Sequence, residues 1–118
     1  MGKRRYIKLL LKFRYAFRGI SFVWKTQKSF RIQCIIGIIA NLILWHPSVI
    51  IVTIFILSLE IINTVIERIC NFINPKYNKA IEIIKDISAG SVFLACFGAI
   101  IYGLILLYEK FIPLINVF

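Results

Sequence analysis

Acidic residues are scarce in this chain: Asp and Glu together number five among 118 residues, against fifteen Lys and Arg, and none occurs before Glu60. The net charge of +10 is concentrated at the front, where ten of the fifteen basic residues lie by Arg31. Such an asymmetry narrows the partners to nucleic acid or a membrane surface. Histidine is nearly missing as well. His46 stands alone beside Pro47 in a turn, and Cys34, Cys70 and Cys96 form no CxxC pair, so no spacing suited to zinc is present. One cysteine falls in each apolar segment, and all three read as small, reduced, apolar side chains. Walker A, kinase glycine-rich and GxSxG motifs are absent too, which excludes the soluble kinase and hydrolase folds. The N-terminal segment interleaves Lys and Arg with Leu, Phe and Tyr and has no small-residue cleavage site, so no cleavable signal is expected.

What the chain has in abundance is apolar length. With 60% hydrophobic residues in a chain of one-domain size, the composition is that of a small integral membrane protein. The apolar runs decide the partner question for the membrane, because a basic nucleic-acid arm needs no greasy segments after it. Tyr6, Leu10, Phe13, Phe17, Ile20 and Trp24 recur at spacings of four and three, with Lys and Arg between them. This predicts a basic amphipathic helix over residues 1–26, lying in the interface, with Gly19 loosening it near its end. Three spans follow, at 28–46, 48–72 and 84–111. The first is short unless Lys28 and Arg31 snorkel. Ser48 is expected to cap the second span after the turn at His46 and Pro47. Asn74, Pro75, Lys76, Tyr77 and Lys79 fall in a polar loop over 71–85. In the third span Ser91, Ala95, Ala99 and Gly103 recur every four residues, a stripe that permits close helix packing within the chain or between subunits. Trp24, Trp45, Tyr102 and Tyr108 read as interfacial aromatics.

The second span carries polar groups where lipid-facing sequence has none. On a helix Glu60, Asn63 and Glu67 fall within an arc of about 60°. An ionisable group at membrane depth costs at least ~2.5 kcal/mol, so that face must meet a protein interior, a wet cavity or an ion. A polar helix seam is the plainer alternative, but three groups exceed what a seam needs. Counting from Ser48, Glu60 lies about 18 Å and Glu67 about 29 Å along the helix, against a hydrocarbon core of ~30 Å. Gln27, Arg31, Lys85 and Asp86 reach the same level from the other spans. Oxygen ligands beside a Lys–Asp pair at the edge of a membrane suit a metal–phosphate site, with a Glu placed to take a proton from a hydroxyl.

Glu60-x-x-Asn63-x-x-x-Glu67, a loop with Tyr77, then Ile84-Lys85-Asp86-Ile-Ser-Ala-Gly-Ser, preceded by Tyr15-Ala-Phe-Arg-Gly19 and Ser29-Phe-Arg-Ile, resembles the prokaryotic diacylglycerol kinase family, which includes the undecaprenol kinases. The likeness covers nearly the whole chain. It implies an all-α integral membrane protein, a surface helix plus three transmembrane helices, assembled as a homotrimeric bundle. It implies transfer of the γ-phosphoryl of ATP, with magnesium as cofactor, to a membrane lipid hydroxyl at the cytoplasmic face of a bacterial inner membrane, and no nucleic-acid partner. Diacylglycerol is the first substrate expected; undecaprenol is the alternative. By the same resemblance Glu60 is the catalytic base and Glu67 a magnesium ligand with Gln27. Lys8, Tyr15, Gln27, Asn63, Glu67, Lys76, Tyr77, Asn78, Lys85 and Asp86 would contact ATP, and Phe17, Trp24, Phe30, Arg31, Glu60 and Ala89 the lipid. The chain departs from the family at four polar positions. Gln27 stands where a metal-site Glu is usual, Gln33 where a His or Glu is, Asn71 for Asp and Asn78 for His. The first of these raises a third reading, a non-catalytic trimeric homologue.

Lys25, Lys28, Arg31, Lys76, Lys79 and Lys85 all fall on one side of this arrangement, whereas the turn at 46–48 has neither Lys nor Arg. The positive-inside rule then puts the N-terminus and the 71–85 stretch in the cytoplasm and the C-terminus outside. Single cysteines introduced at positions 47 and 77 should label from opposite faces of the membrane; labelling from the same face would refute this topology.

Overall fold

The computed structural model describes residues 2–117, and these form four helices: α1 (Gly2–Thr26), α2 (Lys28–Leu44), α3 (Pro47–Ile73) and α4 (Lys79–Asn116). Among the described residues there is no strand. α3 packs most heavily against α4 and next against α2. Inside and outside are inverted relative to a water-soluble domain. Among the described residues five apolar side chains are buried, Val23, Phe30, Val49, Cys70 and Val92, while Glu60, Asn63, Thr64 and Ser88 are buried and most Ile, Leu and Phe side chains face outward. A chain in water would not leave that apolar surface exposed; a chain in lipid has no reason to hide it.

α3 (27 residues) and α4 (38 residues) are each long and apolar enough to cross a bilayer. α2 has 17 residues, or about 26 Å of helix, and falls short of the ~30 Å hydrocarbon core. It meets α1 at 101°. α2 therefore continues from a helix lying almost perpendicular to it. The elbow has identifiable fastenings. Gln27 is extended (φ −114°, ψ 106°), its N–H bonds the Val23 carbonyl (2.8 Å), and Arg31 Nη1 donates to the Trp24 and Lys25 carbonyls at 3.2 and 3.3 Å. Those carbonyls belong to the last turn of α1, where helical partners run out and a cation is favoured. Arg68 of α3 lies 4.5 Å from the Phe22 ring centroid, a cation–π contact that ties α1 to the bundle.

Local chemistry moves several element ends from where the sequence placed them. The cap of α3 is His46, not Ser48: Pro47 occupies the first turn, where its missing N–H costs nothing, and the His46 ring accepts from the Ser48 N–H at 3.2 Å. Ser48 instead hydrogen-bonds the Tyr102 hydroxyl, so this tyrosine fastens α3 to α4. α1 continues unbroken through Gly19. The polar loop shrinks to residues 74–78, because Asn78 Oδ1 accepts from the Ala80 and Ile81 N–H groups (2.9 and 3.3 Å) and starts α4 at Lys79. α2 stops at Leu44 with Trp45 in the left-handed region (φ 47°), and Lys110 Nζ reaches across from α4 to the Ile43 carbonyl at 2.7 Å.

α2 and α3 come into close contact at Gly37. A β-carbon there would stand 2.5 Å from Thr53 Cγ2. Beside it Asn41 Nδ2 donates to the Gly37 carbonyl (2.7 Å) and to Thr53 Oγ1 (3.1 Å). Gly37→Ala should lower the thermal midpoint in detergent, by the equivalent of about 1–3 kcal/mol of overpacking. Adding Thr53→Ser, which removes the clashing methyl and keeps the hydroxyl for Asn41, should restore most of the loss; no recovery in the double variant would show that the crossing is not set by this contact.

Candidate active site

The polar residues of α3 gather on one face because the helical repeat brings positions 60, 63, 64, 67 and 71 round together. Glu60 is 6% exposed, Asn63 8% and Thr64 3%, which places this face inside the bundle. The Thr64 hydroxyl donates back to the Glu60 carbonyl (3.0 Å) and so spends its donor within the helix. The Glu60 carboxylate is met from α2. Ser29 Oγ donates to Oε1 at 2.6 Å and Gln33 Nε2 donates to Oε2 at 3.2 Å. Ser29 and Gln33 are four apart on α2, one turn, so both present to the same neighbour. Further along α3, Asn63 Nδ2 donates to Glu67 Oε1 at 3.3 Å. That bond orients the amide, since the reverse setting would put oxygen against carboxylate. Two buried oxygens then have no partner, Gln33 Oε1 and Asn63 Oδ1. A buried acceptor without a donor costs roughly 1–3 kcal/mol, and such groups concentrate where a ligand completes them.

At the end of α3, Asn71 Oδ1 accepts from Lys85 Nζ of α4 at 2.5 Å. The neutral amide holds the ammonium in place and leaves its charge uncancelled. Below Gln33 an apolar slot of ≈ 490 Å³ runs between α2, α3 and α4, past Thr53, Cys96 and Ala99 to Leu107. Ala99 and Gly103 of the small-residue stripe line this slot, so part of the stripe serves packing within the chain.

The expected site residues divide into two groups. Glu60, Asn63, Glu67 and Lys85 are drawn to one end of the bundle, with Gln27 at the elbow and Phe30 buried beneath it. Lys8, Tyr15, Phe17 and Trp24 lie exposed on α1, and Asp86 and Ala89 exposed on α4. Lys76 and Tyr77 occupy the exposed turn, and Asn78 spends its carbonyl oxygen on the α4 cap. Tyr77 donates to Glu82 Oε2 at 2.8 Å, and that bond holds its phenol above the usual tyrosine range. Arg31 is committed to the elbow. Sequence reasoning gave no role to Ser29 or Thr64. Ser29 entered the sequence reading only as the start of the Ser29-Phe-Arg-Ile stretch; its position one turn before Gln33 and the need of a buried carboxylate for donors were the signals for its role.

Among the described residues no group of three or more His, Cys, Asp or Glu side chains is gathered as a metal centre. The donors that do gather are oxygens, one Glu67 carboxylate beside the unpartnered Asn63 Oδ1. This set fits magnesium in kind, a hard cation that takes one or two protein carboxylates and draws the rest of its shell from phosphate and water.

The sequence model for prokaryotic diacylglycerol kinase matches residues 14–107, from the middle of α1 through most of α4. The chain belongs to the prokaryotic diacylglycerol kinase family. Its matched region takes in Tyr15, the elbow, both α3 carboxylates and Lys85, and leaves Lys8 outside. A diacylglycerol kinase from Synechocystis sp. is 35% identical over 115 residues, covering 90% of this chain. The chain spans 66% of the length of that relative.

Proposed function

We propose that this chain is a lipid kinase that transfers the γ-phosphoryl group of ATP to the hydroxyl of diacylglycerol at the cytoplasmic face of a bacterial inner membrane. The observation that carries the reading is the Glu60 carboxylate, buried and hydrogen-bonded to Gln33, a residue that itself lines an apolar slot and leaves its own Oε1 unpartnered. A hydroxyl on a long apolar chain is the ligand such a place suits: the slot takes hydrocarbon and Glu60 takes the proton. Lys85, held by a neutral partner, supplies positive charge for phosphate oxygens, and Asn63 and Glu67 supply the oxygens that would hold magnesium with Gln27. When bound, the metal spreads the charge of the transferring phosphoryl. The family membership and the name of the Synechocystis relative support diacylglycerol as acceptor.

In this reading α2 is a third span, made long enough by Lys28 and Arg31 at its start, and α1 lies in the interface with its Lys and Arg toward anionic headgroups and ATP. Three copies assemble, covering apolar surface that one chain leaves bare and shielding the acidic face.

The test is ATP-dependent phosphate transfer by the purified chain in detergent or bilayers, with diacylglycerol and undecaprenol side by side. Phosphatidic acid should form at the higher rate; faster phosphorylation of undecaprenol would reassign the acceptor, and no transfer to either would overturn the kinase reading. In the same assay Glu60→Gln should lower kcat by about 10²–10⁴-fold while nucleotide affinity is kept, since a general base acts on the lipid hydroxyl rather than on ATP. Turnover at the wild-type rate would remove Glu60 from the chemistry. Gln27 supplies no negative charge, so Gln27→Glu should lower the magnesium concentration at half-saturation; an identical value in both proteins would show that position 27 is not a ligand.

A further inference from the structure

Glu60 is held by two donors of unequal strength, one on each carboxylate oxygen. The 2.6 Å bond from Ser29 Oγ to Oε1 is short and charge-assisted, whereas the 3.2 Å bond from Gln33 Nε2 to Oε2 is long. A strongly bonded oxygen is the poorer proton acceptor, and a carboxylate bonded at both ends cannot turn about its last torsion. Gln33 also leaves its own Oε1 buried and without a partner on the Oε2 side of the carboxylate. The two oxygens of Glu60 are thus unlike: Oε1 is anchored and Oε2 is available.

We infer that Ser29 is a positioning residue for Glu60, fixing the carboxylate through Oε1 so that Oε2 receives the proton of the lipid hydroxyl. This rests on the kinase reading. In the transfer step the hydroxyl O–H bond breaks toward Oε2 and the lipid oxygen forms its bond to the γ-phosphorus. The bond from that phosphorus to the bridging oxygen of ADP breaks, and ADP carries away the electron pair. Ser29 keeps its own proton throughout. It stands in the first turn of α2, next but one to the elbow residue Gln27. The bend between α1 and α2 therefore also sets the height at which the hydroxyl meets Glu60.

The full chain, purified in detergent with magnesium and ATP saturating, is assayed with diacylglycerol as wild type, Ser29→Ala and Ser29→Thr. Loss of a hydrogen bond to a charged group should lower kcat of Ser29→Ala by about 10-fold or more. The KM values for ATP and lipid should stay near wild type, and Ser29→Thr, which keeps the hydroxyl, should retain most of the rate. Should Ser29→Ala fail to fold, Ser29→Cys gives the same reading, because its thiol is a weak donor in the same space. Unchanged kcat in Ser29→Ala, a loss confined to KM, or an equal loss in Ser29→Thr would each overturn the inference while leaving the kinase reading intact. No transfer by the wild-type chain would overturn the kinase reading and this inference with it.

Discussion

A carboxylate inside an apolar bundle has to be answered by donors, and in this chain the answer organises three helices. Glu60 cannot face lipid without the penalty of an ionisable group at membrane depth. It cannot face an empty interior either, because burying a charged group without hydrogen-bond partners is costly. Ser29 and Gln33 supply hydrogen bonds from α2, which fixes the rotation of α2 against α3 at the level of Glu60. At the other end the same pair of helices is fixed by Gly37 meeting Thr53 and by the Asn41 side chain between them. Between these points there is little apolar burial to do the work, since the largest side chains face outward.

Much of this was legible in the sequence, for a physical reason. Helix backbone bonds are local, so periodicity alone puts Glu60, Asn63 and Glu67 on one face, and the burial of Glu60 and Asn63 follows from the cost of the alternative. The short run of α2 and the basic amphipathic character of α1 were readable on the same grounds. Less legible were features decided by pairs distant in sequence or by competition at helix ends. Ser48 was the expected cap of the second span, and Pro47, by fitting the first turn, passed that role to His46. Asn78 looked like loop chemistry until its carbonyl oxygen was placed on two backbone N–H groups. Ser29 opened a short motif, but the part it plays depends on a carboxylate 31 residues away. Nor does periodicity reveal that Gly37 must remain glycine, because that depends on one methyl group of another helix.

Neutral amides recur at the polar end of the bundle. Gln27, Gln33, Asn63 and Asn71 all stand near carboxylate, ammonium or helix-end charges, and each can orient a charged neighbour without cancelling it. The Asn71–Lys85 pair shows the effect most directly, since an amide accepts from the ammonium and leaves its full charge for another anion. An arrangement with more acid would bind cations more tightly but would spend the basic charge on internal ion pairs. Among the described residues the ion pair formed is Lys79–Glu82, in the first turn of α4, away from this cluster.

The length of α2 has a consequence for the surrounding bilayer. Its 17 residues stand beside helices of 27 and 38, so the protein presents lipids with a hydrophobic wall that is low on one side and high on the other. Where the wall is low the membrane adapts by thinning or by admitting headgroups more deeply. Ser29 and Gln33 mark that low side, next to Glu60. On the proposed kinase reading, a lipid hydroxyl arriving there would reach the carboxylate without leaving a bilayer surface that thinning draws down toward it.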